Sequence, residues 1–67
     1  MLIKITDGTI IHYLDGFESD TGEPILVFFK KNARVYNEFT VKIAEKNLLA
    51  SKKICWLNNP VIEIVEK

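Results

Sequence analysis

Apolar and polar positions alternate repeatedly along this chain, the period of half-buried β-strands rather than of amphipathic helices. Leu2 to Thr6 and Thr9 to Leu14 are two β-branched, apolar-rich runs on either side of Asp7-Gly8. That dipeptide accommodates the positive φ angles of a type I′ turn, so the two runs form a hairpin. With Asp7 and Gly8 as the loop, Thr6 faces Thr9, Ile5 faces Ile10 and Ile3 faces His12. One face then carries Ile3, Ile5, Ile10, His12 and Leu14, and this is the expected core face.

Alternation stops from Asp15 to Pro24, a stretch rich in Asp and Gly that reads as a loop, with Phe17 folding back to cap the core. Ile25-Leu26-Val27-Phe28-Phe29 follows, five apolar residues in a row and the expected central strand, with its phenylalanines in the core. Lys30 to Arg34 is a polar break. From Val35 to Ile43 the alternation returns, with Val35, Phe39, Val41 and Ile43 on one side. A helix over Glu38 to Ser51 competes with this strand, yet the residues below Phe39 at helical spacing are Ile43, Lys46, Asn47 and Ala50, a poor apolar stripe. Strand is the preferred reading.

Ala44 to Lys53 accommodates one helical turn around Leu48 and Leu49. Ile54 to Leu57 and Val61 to Val65 then read as a last hairpin across Asn58-Asn59, in which Ile54, Trp56, Val61 and Val65 share a face. The expected fold class is all-β: residues 1–67 as a single small domain, with five or six strands in a strongly curved sheet or an SH3-like or OB-like barrel and at most one short helical turn. Closure would remove the exposed strand edges.

Size sharpens this picture. A chain of 67 residues buries roughly 60% of the surface its unfolded form exposes, and such a core supplies only about 3–5 kcal/mol of net stability. Cys55 is the only cysteine, so no internal disulfide adds to that. Self-association or a protein partner is the expected supplement. No apolar run approaches the length of a membrane span, and the first residues lack the pattern of a secretory signal. No membrane association and a cytoplasmic location are the resulting expectations.

Nine basic and nine acidic side chains cancel overall, yet they are unevenly placed. Residues 1–23 set Lys4 against Asp7, Asp15, Glu18, Asp20 and Glu23, while residues 24–57 hold seven basic groups against Glu38 and Glu45. Charge segregated in this way can orient association. Lysine, isoleucine and asparagine are favoured as AT-rich codons would favour them, which points to a bacterial or phage gene.

Candidate chemistry is sparse. One histidine excludes a His-Glu-x-x-His metal site, and Gly8, Gly16 and Gly22 are too far apart for a phosphate-cradling loop. Cys55 reads as a small buried hydrophobe between Ile54 and Trp56, and His12 as a partly buried structural residue. The acidic loop lacks EF-hand spacing. No catalytic residue, metal or cofactor is expected, and the protein reads as a non-enzyme.

Two binding readings stay open. The first is a small protein-binding module, a phage or bacterial regulatory factor, acting through the apolar and aromatic patch of Ile54, Trp56, Val61 and Val65, because tryptophan is a frequent anchor of protein interfaces. The alternative is a single-stranded nucleic-acid-binding barrel that uses Lys30, Lys31, Arg34 and Tyr36, with lysines on phosphates and rings stacked on bases.

Overall fold

In the computed structural model, which describes residues 1–67, the first 27 residues supply three strands. β1 (Leu2–Asp7), β2 (Ile10–Phe17) and β3 (Pro24–Val27) form an antiparallel meander, and β4 (Val61–Val65) pairs antiparallel with the free side of β1. The strand order is β3-β2-β1-β4. Between β3 and β4 lie a 3-10 turn (Lys30–Asn32) and two helices, α1 (Thr40–Leu49) and α2 (Lys52–Cys55). The expected all-β barrel of five or six strands does not form: the sheet has four strands, is open, and leaves β3 and β4 as edges.

The first hairpin forms with a different loop. Asp7 stays in β1 and pairs with Ile10, and Gly8-Thr9 makes the turn. Gly8 takes φ 61° whereas Thr9 stays out of the left-handed region, which is the type II′ pattern with glycine at the first central position. Ile5 is consequently set against His12 rather than Ile10. Because partners move by two residues, every side chain keeps its face. Asp7 also gains a distant role, accepting the Asn58 backbone N–H at 2.8 Å where the chain turns into β4.

Of the expected core face, Ile3, Ile5 and Leu14 are buried, and they pack with Val41, Ala44 and Leu48 of α1 and Ile54 of α2. The apolar stripe of α1 is Val41, Ala44 and Leu48, at spacings of three and four residues. A stripe drawn from Phe39 follows the wrong face: Phe39, Ile43 and Ala50 point away from the core. A helix takes the place of the expected strand from Val35 to Ile43: packing of Val41, Ala44 and Leu48 on the sheet holds it, and hydrogen bonds at its start support it. Asn37 Oδ1 accepts the backbone N–H groups of Phe39 and Thr40 at 2.9 and 2.8 Å, and Thr40 Oγ1 accepts the Asn37 N–H at 3.1 Å. This reciprocal pair is a capping box, and the Val41 N–H to Asn37 carbonyl bond of 2.9 Å begins the helical ladder.

The second expected hairpin fails for a related reason. Ile54 and Cys55 belong to α2, so they cannot pair with β4. Ser51 separates the helices in an extended conformation, and its hydroxyl donates to the Leu48 carbonyl at 2.7 Å. Lys53 Nζ donates to the Pro24 carbonyl at 3.1 Å, tying α2 to the first residue of β3.

The run Ile25–Phe29 is not the centre of the sheet. β3 is an edge that ends at Val27, and Phe28 and Phe29 lie exposed beyond it. Residues 34–36 then stitch the ends of β1 and β2 together. The Arg34 N–H donates to the Leu14 carbonyl at 3.1 Å, and Tyr36 exchanges two 2.7 Å bonds with Met1.

Candidate functional site

Residues 34–36 place Arg34 and Tyr36 beside the bulged end of β2 and below α1. Gly16, within that irregular stretch of β2, has φ +82°, and a Cβ there would stand 2.8 Å from Arg34 Nε. The absent side chain is what lets the guanidinium lie against the strand. Together with Phe17, Ile43 and Asn47 these residues line a cleft of about 380 Å³. Burial pushes the Tyr36 phenol above its usual pKa; the Asp15 carboxylate adds to the rise, while the Arg34 charge and the Gly16 backbone oppose it.

Lys30 and Lys31 open elsewhere. With Leu2, Ala33, Val35 and Lys67 they line a separate concavity of about 480 Å³, and Lys31 Nζ stands 6.0 Å from the centre of the Phe29 ring. Leu2 faces away from Ile3 across the strand, so this concavity and the Arg34–Tyr36 cleft are on different sides of the sheet. The four residues assigned to nucleic acid are thus split into two pairs.

The set assigned to protein binding is also dispersed. Ile54 is buried in the core, whereas Trp56, just past α2, is exposed. Val61 and Val65 lie on the sheet face that the helices do not cover, opposite Thr6 and Leu2. They share a face with each other but not with Ile54.

Four aromatic rings stand out in solvent: Phe28 at 66%, Phe29 at 65%, Phe39 at 75% and Trp56 at 81% exposed. Phe28 packs partly against His12, with ring centroids 5.1 Å apart, and His12 is half-buried beside it. Phe39, just before α1, and Ile43, at the rim of the cleft, are both exposed apolar residues four positions apart. The sequence reading missed this pair by assigning it to a strand; the four-residue spacing was its visible signal. Cys55 also departs from expectation, as it is exposed at the end of α2 rather than buried.

Fold and surface together define a small α+β protein, an open four-stranded antiparallel sheet with helices on one face and several aromatic side chains in solvent. No protein-family model, curated protein or solved structure matches the chain. None of its helices is long and apolar enough to cross a membrane.

Proposed function

We propose that the protein is a non-enzymatic binding module that engages another protein through exposed aromatic side chains, with Trp56 as the principal anchor. The supporting observation is the set of four rings, each about two-thirds or more exposed, in a chain of only 67 residues. Large apolar groups left in water lower the free energy when a partner covers them, and tryptophan brings the largest such area. Aromatic side chains, tryptophan above all, are the groups that most often anchor protein interfaces.

Single-stranded nucleic-acid binding is favoured by one observation, the concavity that gathers Lys30, Lys31 and Lys67 near the exposed Phe29 ring. Such a site would pair phosphate contacts with ring stacking. Arg34 and Tyr36 would not belong to it.

One experiment separates the two. The wild type and Trp56→Ala serve as baits in a lysate of the source cells, with and without nuclease, after circular dichroism has shown both to be folded. The protein-binding reading expects a captured protein that survives nuclease and is lost with Trp56→Ala. Identical capture by both baits overturns it, and capture abolished by nuclease transfers the assignment to the lysine concavity.

A further inference from the structure

We propose that β4 is a self-association edge, across which a second copy of the chain pairs antiparallel about Val65. The two edges of the sheet differ in regularity. β3 is short, begins with Pro24, joins β2 through an irregular register, and is followed by the lysine-bearing turn at 30–32. Short strands, prolines, bulges and lysines are the usual devices that keep an edge from adding strands. β4 is one residue longer and has no proline, bulge or lysine between Val61 and Val65. Its ladder with β1 runs without interruption from Thr6 and Val61 to Leu2 and Val65, which leaves a regular opposite edge. Ile64 faces the helical side yet remains 40% exposed.

Charge selects a second copy of this chain and sets the register. In a two-fold antiparallel pair one residue lies opposite its own copy. A centre at Glu63 would set two carboxylates face to face, which is unfavourable. A centre at Ile62 would use Pro60, which has no N–H to contribute to the ladder. A centre at Ile64 would leave Glu63 and Lys67 each opposite a valine.

A centre at Val65 sets Glu63 of each copy directly across from Lys67 of the other, giving two opposite-charge pairs. Glu63 already neighbours Lys4 on β1, so it would lie between two lysines. Pairing would extend β4 through Glu66 and Lys67 and join two sheets into one of eight strands, with both helical layers on the same side. This contact is separate from the Trp56 surface and goes beyond it.

Sedimentation velocity over a wide concentration range tests the proposal on four proteins: wild type, Glu63→Lys, Lys67→Glu and the double exchange. Wild type is expected to dimerise with rising concentration. Each single exchange turns two attractions into repulsions and should weaken the dimer by about tenfold, and the double exchange should recover it. Lys67→Glu keeps the test valid if Glu63→Lys is poorly folded next to Lys4. A monomer at every concentration, a dimer indifferent to the single exchanges, or a double exchange no better than the singles overturns the proposal. Trp56→Ala should dimerise like wild type, so loss of this contact and loss of partner capture are read apart.

Discussion

Tyr36 shows how one residue can hold several parts of a small fold. Its backbone exchanges hydrogen bonds with Met1, its ring packs against the core, and its neighbour Arg34 bonds to Leu14. Burial raises the phenol pKa in the folded protein above the ordinary value of about 10. The unfolded chain therefore loses that proton first as pH rises. The stability linked to Tyr36 is fully present below pH about 10 and is lost as pH climbs through the folded pKa. Thermal melts from neutral to strongly alkaline pH should show a decline that Tyr36→Phe makes shallower; equal slopes would refute the linkage. The sequence displayed Tyr36 as a candidate ring for stacking on bases and not as a structural tie, since nothing local announces a bond to a residue 35 positions away.

At the scale of elements, α1 is the instructive case. Two periodicities overlap in residues 35–50: an alternating one through Val35, Phe39, Val41 and Ile43, and a helical one through Val41, Ala44 and Leu48. Alternation is sound evidence only where both strand faces have an environment to suit them. The Asn37–Thr40 capping box satisfies backbone donors at the helix start and tips the balance locally. Asn37→Ala should cost about 1 kcal/mol, read as a lower midpoint in urea unfolding with unchanged slope. The Asn-x-x-Thr spacing was legible in the sequence, but threonine is a less usual third-position partner than Glu or Gln. The strands divide in the same way. β1, β2 and β4 were recognisable from alternation and turn residues, whereas the edge position of β3 depends on which strands reach the sheet from afar.

For the molecule as a whole, a sheet covered by helices on one face must draw its stability from a single thin core. Leu48 is fully buried at its centre. Leu48→Ala should remove roughly 2–5 kcal/mol, most of what a domain of this size possesses, and the far-ultraviolet circular dichroism of the variant should be that of a largely unfolded chain. Phe39→Ser, in contrast, exchanges a ring already in solvent and should shift stability by no more than about 0.5 kcal/mol. A folded Leu48→Ala protein with a wild-type melting curve would contradict this account of the core.

Local chemistry was enough for the sequence to indicate the first hairpin, though not its loop residues, the faces of its strands and the strand Val61–Val65, because glycine, β-branching and alternation act between neighbours; the expected loop from Asp15 proved to begin only after Phe17. It also placed Ile3, Ile5 and Leu14 in the core. Only the tertiary structure decided that residues 40–49 and 52–55 are helical, that the sheet stays open, and that Ile54 is buried while Trp56 and Phe28 are in water. Those outcomes turn on which surface covers which. Burial depends on contacts between residues distant in the chain, and local periodicity carries no record of them.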